Sequence, residues 1–371
     1  MLDGRVAQRQ IGRRVKAARA AMGWNQDRLA DEMRINDRQT ISDIENGKRS
    51  LTSEELVSLS TLFGKDVEFF LDPFVVAGEA QFTWRADLAL DNAKLVAFEQ
   101  FSGPWIGLLR WMRCQSIERI SALKRALKFT PYSTYKDAGV SAERLVTELS
   151  FGKTPGDDLA LRIEQKLDIP ILFVDPKAHA HVAGISGAAC HLEDLTVLLV
   201  NRRENVGRRN FDIAHELFHA LTWDALGAVH RESNAEPDAK AKKIERLADN
   251  FAASLLMPSG SLKEFGVEQG CEDLDLLERV AGEFRVTPKA LGWRLLNLGL
   301  IDDEVRERLS LRKLPASPDP KLFSQSFVIL LHRAIDSGRL SLRKAAKTMG
   351  FSIHELESLF ADYGLSSPNA A

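Results

Sequence analysis

Cysteine is scarce in the 371-residue chain. Cys114, Cys190 and Cys271 are odd in number and far apart, fit neither C-x-x-C spacing nor a disulfide framework, and point to a reducing compartment. No stretch approaches eighteen apolar residues, and Met1-Leu2-Asp3-Gly4-Arg5 has no apolar core with a small-residue cleavage site, so a soluble cytoplasmic protein without a membrane role is expected. Net charge is nearly absent: 50 Lys+Arg against 52 Asp+Glu leaves −2, and any nucleic-acid affinity must come from a local patch. Internal repeats of fixed period and low-complexity tracts are missing too, and the composition excludes a wholly disordered or collagen-like chain. With 44% apolar and 27% charged residues, what remains is an ordinary globular chain long enough for two or three domains.

From Ile11 to Phe70 the periodicity is helical, in short pieces separated by polar caps. A longer helical tract covers residues 92 to 128 and is broken at Pro131 and Gly139, which reads as a connector. The period changes after Asp168, where Ile169 to Val174, His181 to Ile185 and Thr196 to Val200 read as short strands. Two amphipathic helices follow. Prolines 315, 318 and 320 then lead to a last helical segment, Phe323 to Tyr363. The expected fold class is α+β and predominantly helical: a helical N-terminal domain over residues 1–75, a connector over 76–139, a central domain with a small β-sheet over 140–300, and a C-terminal helical packing or sensing segment over 301–371.

The chemistry-bearing pattern is H-E-x-x-H, at His215, Glu216 and His219. Chance produces it in about one such sequence in a hundred. Ala214, Leu217, Phe218 and Leu221 recur at i, i+3, i+4 and i+7, so the segment is an amphipathic helix on which the two histidines share a face and can converge on one zinc. A third ligand is needed. Positions 222 and 225 are Thr and Ala, which excludes the extended H-E-x-x-H-x-x-G-x-x-H class. A second helix, Pro237 to Met257, carries Glu245 at the border of its apolar stripe, and the loop before it can bring that carboxylate back beside the first helix. Asp249, one turn on, is spaced to accept the ring N–H of a ligand histidine.

These residues resemble the ImmA/IrrE metallopeptidases, whose pattern joins H-E-x-x-H to E-x-x-A-[ND]-x-F-A-x-x-L-L-M-P; here Glu245 to Pro258 match it almost completely. The likeness extends through Phe284 to Pro288, Trp293-Arg294-Leu295 and Gly299 to Ile301, and implies a gluzincin-like fold with His215, His219 and Glu245 as ligands and Glu216 as catalytic base. Zinc lowers the pKa of its bound water towards neutrality, and a carboxylate beside the ligands can carry its proton to the leaving amine; manganese is the other metal the site could take. The strand Thr196 to Val200 is expected to bind an extended substrate by edge pairing. No residue stands out as the oxyanion donor: His181 and His230 read as ordinary strand and loop histidines.

The N-terminal helices carry a second pattern. Asn25 caps a helix starting at Gln26, and Asn36 with Gln39 reads as the capping box of the next, which closes at Asn46-Gly47. With Ile41 and Ile44 facing the core, Arg38, Gln39, Thr40 and Asp43 are left outward. Residues 5 to 49 hold eleven Lys+Arg and six Asp+Glu, a local +5 that includes Arg13, Arg14, Lys16 and Arg19 on the first helix and Lys48 and Arg49 after the outward-facing one. Gln26, Ala30, Ile41, Ser42, Ile44, Glu45 and Gly47 resemble the Xre-type helix-turn-helix, with Arg34 where that family has a turn glycine. The resemblance implies DNA contacts from Gln26, Arg38, Gln39, Thr40, Lys48 and Arg49, and a homodimer on a two-fold operator. Arg202, Arg203, Arg208 and Arg209 read as a solvated loop, and the acidic helix with His354, Glu355 and Glu357 as a packing element.

Two functions follow as expectations. One is a DNA-binding regulator carrying a zinc endopeptidase that cleaves a repressor or antitoxin. The other is a non-catalytic autorepressor or antitoxin whose metal domain senses a ligand or partner.

Overall fold

The computed structural model describes residues 4–76, 79–86, 92–115, 126–130, 132–175, 184–226 and 239–368. Among them the chain runs α1 (Gly4–Ala21), α2 (Gln26–Glu32), α3 (Arg38–Glu45), α4 (Ser53–Phe63), α5 (Val67–Leu71), β1 (Gln81–Ala86), α6 (Asn92–Gln115), α7 (Tyr135–Glu148), α8 (Leu159–Leu167), β2 (Ile171–Val174), β3 (Ile185–Leu192) and β4 (Leu195–Asn201). There follow α9 (Val206–Leu226), α10 (Ala239–Leu256), α11 (Ser259–Glu264), α12 (Leu274–Glu283), α13 (Pro288–Asn297), α14 (Asp303–Ser310), α15 (Gln325–Asp336), α16 (Leu342–Met349) and α17 (Ile353–Asp362). The fold is α+β, mostly helical, with one small sheet. None of the described helices is long and apolar enough to cross a membrane.

Contacts divide the chain into two units: residues 1–81, 96–119 and 325–371 form the first, residues 82–95 and 120–324 the second. In the first, Leu29, Ile41, Ile44, Val15, Leu59 and Phe70 close a core under α1 to α5. The helices α2, α3 and α4 are each started by a side-chain cap that satisfies an orphan N–H: Asn25 on Arg28 for α2, and Thr52 with Glu55 as a capping box on α4. On α3 the cap is Asp37, which accepts from Thr40 N at 2.9 Å, rather than the expected Asn36: Asp37 holds the extended backbone of an N-cap directly before the first helical residue, Arg38. Gly12 is required where α1 crosses α3, since a Cβ there would lie 2.2 Å from the Ile44 carbonyl oxygen. The C-terminal helices belong to this unit, joined to it by Lys344 Nζ on Asp72 at 2.6 Å and by the Trp105 indole N–H on the Met349 carbonyl at 3.1 Å.

In the second unit the sheet order is β1-β3-β4-β2. β3 and β4 form an antiparallel hairpin with Gly187 opposite Val200, and β2 pairs parallel to β4 with Ile171 opposite Leu198. The strand expected at His181 to Ile185 instead begins at Ile185; residues 181–183 lie outside the described residues. The stretch between the two expected domains also holds a strand, β1, besides α6. α9 lies on the sheet and α10 on α9, and Ile213, Ala214, Leu217, Phe218, Leu247 and Phe251 fill the core between them. The end of α10 is clamped: Arg294 Nε donates to the Met257 carbonyl at 3.2 Å, its Nη2 reaches Glu143 at 2.6 Å, and Glu143 accepts from Ser259 N at 3.0 Å. That fixes α10 along its length, and with it the side chains it points at α9.

Candidate functional site

One helical turn separates His215 from His219, and both rings are buried, with centroids 5.0 Å apart. Nε2 of His219 lies 3.2 Å from Nε2 of His215; Glu245, brought in by α10, places Oε2 3.1 Å from Nε2 of His215 and Oε1 3.4 Å from Nε2 of His219. Two imidazole nitrogens and a carboxylate do not gather in this way for mutual hydrogen bonding, because only one proton can lie between the two nitrogens. The separations match the edge of a tetrahedron around an ion with bonds near 2.0–2.1 Å, which is about 3.3–3.4 Å. The donor set therefore fits a divalent metal, and among the described residues these three form a cluster able to hold one. Asp249, one turn beyond Glu245, puts Oδ1 3.0 Å from Nδ1 of His215, so the ring's other nitrogen faces the cluster. Glu245 and Asp249 remain 41% and 49% exposed, so the cluster is reachable from solvent on the α10 side.

Glu216 follows His215 on α9 and is fully buried. Its stem lies against β3 at Gly187, where a Cβ would come 3.3 Å from Glu216 Cγ. Its Oε2 is 3.3 Å from the hydroxyl of Thr83 on β1. Thr83 and Gly187 were not singled out in the sequence; the signal available for β1 was only Gln81-Phe82-Thr83-Trp84, a run too short to distinguish from loop. β4, expected to pair with an extended peptide, is interior, held by β3 on one side and β2 on the other. The open side of the hairpin is the edge of β3, and β1 takes it. His181 and His230 lie outside the described residues.

Of the arginines after β4, Arg203 and Arg208 are exposed, as a solvated stretch would have them, whereas Arg209 is not. Arg209 is buried and donates to the carbonyls of Arg202 and Glu204; Arg203 is ion-paired with Asp175 and Asp319; Arg208 reaches Asp212 at 3.3 Å from the surface. Nearby, Gly207 has no room for a side chain, since a Cβ would be 2.5 Å from the backbone of Val286 and Thr287.

In the first unit α3 presents Arg38 and Gln39 outward with Thr40 half-buried beside them, and Lys48 is exposed after its end. Gln26, at the start of α2, accepts from Arg38 Nε at 3.2 Å and donates to Glu45 at 2.8 Å, linking the two helix starts. Gln39 is bonded to Asp43 at 3.0 Å, and Arg49 is held in a fork by Glu55 at 2.8 and 2.9 Å. Two of the first-helix cations belong to the framework instead: Arg14 is buried, donating to the Phe70 and Val75 carbonyls at 2.7 and 2.6 Å, and Arg19 is bidentate on Glu45. Burial lowers the Arg14 guanidinium from the ordinary arginine range, with Glu79 opposing. The turn between α2 and α3 does take the left-handed conformation at Arg34, with φ of 55°. Ile35 N then bonds back to the Ala30 carbonyl at 2.9 Å, closing α2 without the glycine.

The IrrE N-terminal-like domain of peptidase family M78 has a family model that matches residues 146–296, and a helix-turn-helix family model matches residues 15–70. A search of curated proteins and of solved structures finds no match. The chain is a fusion of a DNA-binding type of helix-turn-helix domain with a metallopeptidase-like domain, and the His215, His219 and Glu245 cluster falls within the second.

Proposed function

We propose that the protein is an operator-binding regulator whose second unit is a zinc-dependent endopeptidase, and that its substrate is a repressor or antitoxin protein. The observation that carries the peptidase reading is the triangle of His215, His219 and Glu245 ligand atoms beside a buried carboxylate on the same helix. These three residues would hold the ion, zinc or, in its place, manganese. When bound, the ion supplies Lewis-acid polarisation of the scissile carbonyl and acidifies water. Glu216 takes a proton from the attacking water as its oxygen adds to the peptide carbon, and returns that proton to the amine as the C–N bond breaks. Asp249 holds the Nδ1–H of His215 and keeps that ring's orientation. Arg38, Gln39 and Thr40 read base edges, Gln26 positions Arg38, and Lys48 and Arg49 bind phosphate. Two copies of residues 1–75 engage a two-fold operator, which places the protein in the cytoplasm and its peptidase near DNA-bound substrates.

The test mixes purified protein, at one equivalent of zinc, with the products of neighbouring genes and follows cleavage by mass spectrometry. Cleavage that disappears in Glu216→Gln, with zinc retained, supports the enzyme. A second reading, an autorepressor whose metal domain senses a ligand or partner without cleaving, is favoured by the full burial of Glu216. It predicts that regulation survives Glu216→Gln and is lost on substitution of Arg38 or Gln39.

A further inference from the structure

A peptidase of this type has to bring an extended peptide past its acid, and an extended peptide binds by adding to a sheet edge with unpaired N–H and C=O groups. Among the described residues of the second unit, one strand edge runs beside Glu216. β4 is paired on both sides and β2 lies beyond it, whereas β3 touches the Glu216 stem through Gly187. The outer edge of β3 is covered by β1. Successive strand residues point to opposite faces. Thr83 points to α9 and places its hydroxyl 3.3 Å from Glu216 Oε2, and Phe82 is buried on the other face. Thr83 is 2% exposed, so nothing enters between it and the acid while the strand is in place. The ligand cluster itself is open on the Glu245 side, where that side chain is 41% exposed.

We propose that residues 81–86 are a built-in pseudosubstrate, occupying the peptide-binding edge of β3 and shutting Glu216 off until they are displaced. The same segment reports the class of peptide this edge accepts: an extended stretch in which a small hydroxylated residue faces Glu216 and an aromatic residue precedes it. This rests on the peptidase reading above.

Two full-length variants test it. In the first, residues 81–86 are replaced by Gly-Ser-Gly-Ser-Gly-Ser, and the probe is a fluorescein-labelled peptide of residues 79–88, measured by anisotropy in a Glu216→Gln background. A tethered strand competes at high effective concentration, so the replaced chain is expected to bind the peptide about a hundredfold tighter than the parent, with equal zinc content. In the second, Thr83→Asp sets a carboxylate against Glu216, and amide exchange over residues 81–86 is expected to speed up about tenfold with that of α9 unchanged. Equal peptide binding by parent and a folded, zinc-loaded replacement overturns the proposal. So does unchanged exchange over 81–86 in Thr83→Asp, which decides the matter if the replacement does not fold. Tight peptide binding without cleavage of any protein by the replaced chain with Glu216 restored leaves the strand assignment standing and removes the peptidase reading.

Discussion

The carboxylate of Asp249 lies 3.0 Å from Nδ1 of His215, while Nε2 of the same ring lies 3.1 Å from Glu245. One imidazole thus links two residues a single turn apart on α10, and the ring can neither rotate nor change tautomer without breaking one of the contacts. Asp249→Ala is expected to weaken zinc binding by about 10- to 100-fold with the helical content unchanged. Competition with a fluorescent chelator measures it, and Asp249→Asn, which can still accept from the ring, should recover part of the loss.

Arg38 and Lys48 are expected to separate into two kinds of DNA contact. Arg38 leads α3 and is oriented by Gln26, so Arg38→Ala should cost about 1–3 kcal/mol on the operator and flatten the preference for it. Gln26→Ala should reproduce part of that effect without touching DNA charge. Lys48→Ala should weaken all sequences alike and lower the slope of log affinity against log salt by about one. Fluorescence anisotropy on specific and random duplexes at several salt concentrations distinguishes them.

Glu55 ties stability to pH. Its hydrogen bond to Arg49 holds the carboxyl below the ordinary glutamate range; the Thr52 N–H acts in the same direction and burial against it. A depressed carboxylate contributes stability that is complete above its unfolded pKa and disappears as pH falls through the folded value. Glu55→Gln should therefore destabilise the first unit by about 1 kcal/mol at neutral pH and by progressively less below pH about 4. Urea unfolding at a series of pH values reads this directly. Arg49→Ala should show the same dependence, because Arg49 serves α4 as well as any phosphate.

What could be read in the chain beforehand was local. His215, Glu216 and His219 are set by one turn of helix, and Glu245 by the edge of an apolar stripe on the next, so the cluster needs only that two helices meet. Arg34 shows a weaker kind of legibility: its departure from glycine was visible, but that the arginine would take φ of 55° was not, because the bond from Ile35 to Ala30 that holds it there forms only once α2 exists. Arg14 and Arg209 read as surface charge, yet both are buried: Arg14 donates to the Phe70 carbonyl, 56 residues away and brought in by tertiary packing, and Arg209 to the carbonyls of Arg202 and Glu204 just before α9. β1 was illegible for the same reason. Its partner strand lies a hundred residues later, and six residues with no turn signal of their own do not announce which edge they will join.

Zinc content of the full-length protein and of Glu245→Ala, measured by elemental analysis after dialysis against a weak chelator, tests the central claim most directly. One equivalent in the parent and near none in Glu245→Ala, with His215→Ala and His219→Ala behaving alike, is the expected result. A parent that retains no divalent metal, or a Glu245→Ala protein that holds it as tightly as the parent, would contradict the account.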